Sequence, residues 1–186
     1  IEVIKMIFRG EPLALETLAG NLAGHEVAIV DLKADPEGLS ENAIDFTPEL
    51  IGITGVTCEA NTMLSIAGEL KQRYDVPVVV GGHHASNDPN FFKHPFIDYV
   101  VVGLGKKSFR ELVDCIDADK PIRIPGILDN SPDAPASGCI PRSYSLADLV
   151  DHAAPRYDLV SRHRDKYVMS GIGGKVGFVA SAFGCT

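Results

Sequence analysis

The chain has 186 residues, enough for one domain with an extension around a sizeable core. Its 45% hydrophobic and 23% charged residues are ordinary for a globular protein. A net charge of −8 with no local Lys/Arg cluster argues against nucleic acid as a partner, and no apolar run approaches a membrane span.

In chain order, Glu2 to Phe8 (EVIKMIF) reads as a first strand, opening directly rather than through a signal peptide. Pro12 stands where a helix would begin; Leu13, Leu15, Leu18 and Leu22 follow at near-helical spacing up to Gly24. Glu26 to Asp31 reads as a second strand, and Pro36 to Phe46 as a short helix ended by Pro48. Glu49 to Thr54 is a third strand, followed by a helix over Asn61 to Tyr74 with Leu64, Ile66, Ala67 and Leu70 turned inward. Val76 to Val80 is a fourth strand, whose β-branched run reads as buried on both faces. Phe96 to Val102 is a fifth, and Ser108 to Ile116 a helix with Phe109, Leu112, Val113 and Ile116 on one stripe.

Strands alternating with helices predict an α/β fold: a doubly wound, Rossmann-like sheet of five parallel strands joined by right-handed crossovers. In the flavodoxin-like order 2-1-3-4-5, a ligand crevice opens at the C-terminal ends of strands one, three and four. The connections there are Phe8–Glu11, Thr54–Glu59 and Gly81–Ser86.

From Lys120 the character changes. Pro121, Pro125, Pro132, Pro135 and Pro141, with Gly126 and Gly138, make residues 120–142 an irregular linker with one edge strand near Ile124–Leu128. Ser145 to Val150 reads as a helical turn. Lys166–Ser170 and Lys175–Ser181 read as two short strands around a glycine-rich turn, after which the chain stops at Gly184-Cys185-Thr186. The expected organisation is a binding domain over 1–119, a linker over 120–164 and the start of a further, barrel domain over 165–186.

Candidate chemistry gathers at Thr54-Gly55-Val56-Thr57 and at Gly81-Gly82-His83-His84. Glycines without a Cβ let a large ligand pass the backbone, although a plain strand-to-helix turn needs them too. His83 and His84 could each face a ligand or cap the following helix. Asp31 ends the second strand, where an acid binds ribose in dinucleotide folds, but FRGEPL lacks the glycine pattern that role requires. A nicotinamide cofactor is therefore not expected, nor is a phosphoacceptor site, because no acids cluster after strand one. Trp is absent, so a flat ligand would be gripped by aliphatic side chains and backbone. Cys58, Cys115, Cys139 and Cys185 lack paired spacing, which indicates neither a zinc site nor a disulfide framework and fits a reduced, cytoplasmic setting.

A hydroxyl residue and an aliphatic flanking Gly55, followed one strand later by Gly-Gly, resemble the pattern of cobalamin-binding domains. FRGEPLALE lacks the cobalt-ligating histidine of the usual signature after strand one. In this the chain is similar to the N-terminal domains of cobalamin-dependent radical S-adenosylmethionine (SAM) enzymes. HEVAIVD, ELIGITGVT, VVVGGHHAS and FIDYVVVGLGKKSFREL also look like that family, with Lys106 where an acid is usual.

The resemblance implies cobalamin held by Phe8, Arg9, Gly10, Glu11, Thr54, Gly55, Val56, Thr57, Gly81, Gly82, His83, His84, Gly103 and Gly105. His84 becomes a candidate lower axial ligand of cobalt. Cys185, after a strand and Gly184, fits the first cysteine of a Cys-x-x-x-Cys-x-x-Cys motif that would hold a 4Fe-4S cluster and SAM, its other ligands lying beyond Thr186. The implied full-length enzyme methylates or oxidatively cyclises an unactivated carbon of a small molecule, a tetrapyrrole in the magnesium-protoporphyrin monomethyl ester cyclase branch. It would draw electrons from an external donor, and this chain alone would be inactive. The alternative is a non-catalytic flavodoxin-like module that senses cobalamin or a flavin, although FRGEPL has no Ser or Thr for a flavin phosphate.

Overall fold

A computed structural model describes residues 8–40, 45–131, 134, 139–145, 154–169, 174–177 and 179. The chain divides into two compact units, 1–46 with 149–186, and 47–148.

In the first unit, β1 (Phe8–Arg9) is followed by α1 (Leu13–Gly20), with Pro12 at the helix N-cap. The second unit contains β2 (Ile51–Thr54), α2 (Ala60–Tyr74), β3 (Val78–Gly81), α3 (His83–Asn87), β4 (Tyr99–Val101), α4 (Gly105–Asp117) and β5 (Ile127–Asp129). The chain then returns to the first unit for a 3-10 segment over Tyr157–Lys166, β6 (Val168–Met169) and β7 (Gly174–Lys175).

The second unit carries the sheet that positions the candidate site. Among the described residues its order is β2-β3-β4-β5. The first three strands are parallel, with Thr54 opposite Gly81 and Val80 opposite Val100. Val78, Val79 and Val80 are each almost wholly buried, because helices cover both faces. On one face Val78, Val80 and Val100 pack against Ala60, Met63 and Ala67 of α2 and against Ala85, Phe92 and Ile97. On the other, Val79 and Val101 meet Leu112 of α4 with Ile124 and Ile127. This is the doubly wound α/β arrangement expected from the alternating elements. At the N-terminal end of the strands, Asp98 accepts from Val78 N at 2.7 Å and from Lys71 Nζ at 2.9 Å, fixing the starts of β3 and β4.

Two details differ from the expected five parallel strands. β5, the anticipated edge strand, runs antiparallel to β4. After α4 the chain passes over the sheet face with Ile122 and Ile124 packed inward, then reverses at Gly126, whose φ is +82°. Gly126 lies beside the end of β4, its carbonyl accepting from Val102 N at 2.8 Å, so the next strand must run back down. The second difference is that Glu26–Asp31 joins no described strand ladder, although its alternation persists, with Ala28 exposed and Ile29 buried. Residues 2–7, most of its expected neighbour, lie outside the described residues, as do 41–44 within the expected 36–46 helix. Of the rest of that expected helix, residues 36–40 form turns and a bend, and 45–46 are irregular.

In the first unit the described sheet is antiparallel, in the order β1-β6-β7, with Phe8 opposite Met169 and Val168 opposite Lys175. Its core is Ala19, Ile29, Ala34, Val160 and Tyr167. Of the expected strand to Ser181, residues 178, 180 and 181 lie outside the described residues, and so does Cys185.

Candidate functional site

Three connections leave the C-terminal ends of β2, β3 and β4. After β2, Thr54 and Thr57 are exposed, and Val56 is 42% exposed although aliphatic. The carboxylate of Glu59 accepts from Val56 N at 3.0 Å and shapes this turn before α2 begins. At Gly55 a Cβ would lie 2.8 Å from Met63 Sδ, so any side chain there would have to displace the Met63 thioether.

After β3, Gly82 adopts φ +102°, a conformation that favours glycine. A Cβ at Gly82 would stand 2.5 Å from Thr54 Oγ1 and 2.9 Å from the Gly55 carbonyl oxygen. The missing side chain thus lets the first two connections close on one another. His83 is exposed. His84 is half-buried, its ring edge-on to Phe91 and Phe92 with centroids 4.8 and 5.6 Å away. Its Nε2 is buried without a hydrogen-bond partner.

After β4, Gly103 is exposed at φ +84°, Leu104 is 36% exposed, and Gly105 opens α4. Tyr144 donates its hydroxyl to the Leu104 carbonyl at 2.7 Å. Ser86, on α3, donates to the Gly82 carbonyl at 2.9 Å and accepts from Gly103 N at 2.9 Å. Sequence reading missed Ser86 and Tyr144. For Ser86 the available signal was its position one helical turn beyond Gly82, where a hydroxyl can reach back to the carbonyl four residues earlier.

The structure therefore brings Thr54, Gly55, Val56, Thr57, Gly81, Gly82, His83, His84, Gly103 and Gly105 to one edge of the second unit's sheet. Phe8, Arg9, Gly10 and Glu11 belong to the first unit. There Glu11 is buried and its carboxylate is ion-paired with Arg164.

The first unit also holds an unforeseen buried polar cluster. Glu16 is fully buried with neither carboxylate oxygen hydrogen-bonded. Burial first, then the neighbouring Glu11 carboxylate, pushes its pKa from 4.5 up to about 7; Arg164 partly offsets this and Asp31 adds to it. The Tyr167 hydroxyl, also buried, is pushed well above its ordinary value by burial and by Asp31.

The fit of the second unit's edge to a cobalamin rests on its turns. Two have positive-φ glycines, a hydroxyl stands exposed at a strand end, and exposed Val56 and Leu104 offer aliphatic surface. A large, partly apolar macrocycle with a polar tail needs such a rim. Among the described residues no group of His, Cys, Asp and Glu is arranged to hold a metal ion. No described helix is long and apolar enough to cross a membrane.

A doubly wound sheet whose C-terminal edge is lined by side-chain-poor turns defines a ligand-binding α/β domain. More narrowly, the chain belongs to the B12 binding domain family, which matches residues 3–113. It is 33% identical to an uncharacterized methyltransferase of Pyrococcus horikoshii over 95% of its own length, spanning 39% of that protein. It is 31% identical to the cobalamin-dependent radical SAM methyltransferase TokK of Streptomyces tokunonensis, over 58% of this chain and 16% of TokK. Among solved structures it resembles the radical SAM methyltransferase TsrM of Kitasatospora setae, with a TM-score of 0.61 and 27% identity. That match covers 72% of this chain and 28% of TsrM. The fold is also that of the cobalamin-dependent SAM radical enzyme OxsB, with a TM-score of 0.65 at 17% identity, over 87% of this chain and 24% of OxsB.

Proposed function

We propose that this chain binds cobalamin at the C-terminal edge of β2, β3 and β4 and serves as the cobalamin-binding part of a radical SAM methyltransferase. The observation that carries the reading is the Gly82 turn, which closes against Thr54 and Gly55 only because it has no side chain. Thr54, Gly55, Val56, Thr57, Gly81, Gly82, His83, Gly103 and Gly105 form the binding edge. Bound cobalamin supplies a cobalt centre that can carry a methyl group; the chain's residues bind and orient it. Thr54 and Thr57 offer hydroxyls to polar substituents, while Val56 and Leu104 exclude water from an apolar face. His84 packs against Phe91 and Phe92 and shapes the floor of its turn.

In the whole protein a further domain would hold SAM and a 4Fe-4S cluster, with Cys185 as first ligand, fed by an external electron donor. The substrate would be a small molecule. The names of the relatives favour methyl transfer over the oxidative ring closure that the sequence resemblance also allows.

A visible absorption titration with hydroxocobalamin, followed by desalting, tests the reading. Retained colour with a perturbed cobalt spectrum is expected. Loss of all colour, both from this chain and from a longer polypeptide that includes it, overturns the reading.

A further inference from the structure

The turns after β3 and β4 lie beyond the ladder that holds their strands together. Gly82 and Gly103 both sit at positive φ, and glycine loses more backbone freedom on being ordered than any other residue. One side chain bonds to both. The Ser86 hydroxyl donates to the Gly82 carbonyl at 2.9 Å and accepts the Gly103 N–H at 2.9 Å, using one donor and one acceptor position in opposite directions. Gly82 in turn lies against Thr54 and the Gly55 carbonyl, so the restraint extends to the turn after β2. Ser86 is itself held by α3, its backbone N–H donating to the same Gly82 carbonyl at 3.0 Å.

We propose that Ser86 is a positioning residue for cobalamin, its hydroxyl clamping the Gly82 and Gly103 turns in the spacing that receives the cofactor. The proposal rests on the cobalamin reading above. Without the hydroxyl, Gly103 N–H must find water and the two turns lose their direct link. Binding would then have to order them, and affinity falls by that cost.

The test compares Ser86→Ala, Ser86→Thr and Lys71→Met with the wild-type chain. Lys71 pairs with Asp98 at the opposite end of the strands, so its loss weakens the unit without touching the turns. Hydroxocobalamin affinity is read by visible titration, and exchange of the Gly103 amide by NMR. Ser86→Ala is expected to weaken binding about tenfold, roughly 1.4 kcal/mol, and to speed Gly103 exchange in the free protein. Ser86→Thr, which keeps a hydroxyl, restores both, and Lys71→Met leaves the affinity unchanged.

If the wild type binds and Ser86→Ala binds equally well, the clamp is refuted and the cobalamin reading stands. If Ser86→Thr does not rescue, or Lys71→Met loses as much affinity, Ser86 is merely structural and the proposal falls. If the wild type itself does not bind, the cobalamin reading fails and the proposal with it. Should Ser86→Ala not fold, the free wild type decides: the Gly103 amide must be protected from exchange before any cofactor is added. Unprotected exchange at Gly103, with colour retained on titration, overturns the clamp.

Discussion

Glu16→Gln should stabilise the first unit at neutral and alkaline pH and hardly at all in mild acid. Glu16 is fully buried, and Glu11 and Asp31 disfavour its charge while Arg164 favours it; Tyr167 completes the cluster. A carboxyl at about 7 in the folded protein and 4.5 when free binds more protons folded than unfolded between those values. Stability is therefore fully present below about 4.5, falls as the pH rises toward 7, and levels off above. The interval corresponds to roughly 3 kcal/mol at one pKa unit per 1.36 kcal/mol. Glutamine keeps the shape and cannot ionise, and its amide can donate to a carboxylate. Native-state hydrogen exchange at the α1 amides, corrected for intrinsic rates, gives the local stability of both proteins. The variant's advantage should grow by roughly 2–3 kcal/mol between about pH 5 and about pH 8. An advantage that does not change with pH refutes the assignment of an ionisable, desolvated Glu16.

Gly82→Ala forces a Cβ onto a positive φ and against Thr54 Oγ1, and should destabilise the second unit by about 2–4 kcal/mol in urea denaturation while abolishing cobalamin retention. Wild-type stability in that variant contradicts the close approach. Val56→Asp replaces an exposed aliphatic, so stability should move by less than about 0.5 kcal/mol while hydroxocobalamin affinity drops roughly tenfold. Unchanged affinity removes Val56 from the binding edge. Asp98→Ala deprives Val78 N of its acceptor and Lys71 of its ion pair, and should cost about 1–3 kcal/mol in thermal or urea unfolding, with cobalamin affinity preserved in the folded fraction.

Local signals in the sequence determined the α/β class, the inward positions Ala67 and Leu70 of α2 and Leu112 of α4, and the burial of Val78–Val80. Ile66 and Val113 of the expected stripes are only half-buried, and the buried Met63 was not among them. What was legible follows from side-chain periodicity and branching, which any window of the chain displays. Gly81-Gly82 and Thr54 were legible for a similar reason, since turn chemistry after a strand is written in adjacent residues. Other features depended on groups far apart in sequence. The antiparallel run of β5 follows from Ile122 and Ile124 covering the sheet face before Gly126 turns the chain back. The Ser86 bond to Gly103 spans 17 residues of chain, and the Glu11–Arg164 pair joins opposite ends of it. His84 stands beside the glycines in the sequence, whereas its edge-on packing against Phe91 and Phe92 is set by the fold. Glu16, one polar position in a leucine-rich helix, became a buried acid because Tyr167 and Asp31 converge on it from distant segments. Periodicity is encoded residue by residue, whereas desolvation and hydrogen-bond partnership are set by whatever the fold brings alongside, and that was decided only in the tertiary structure.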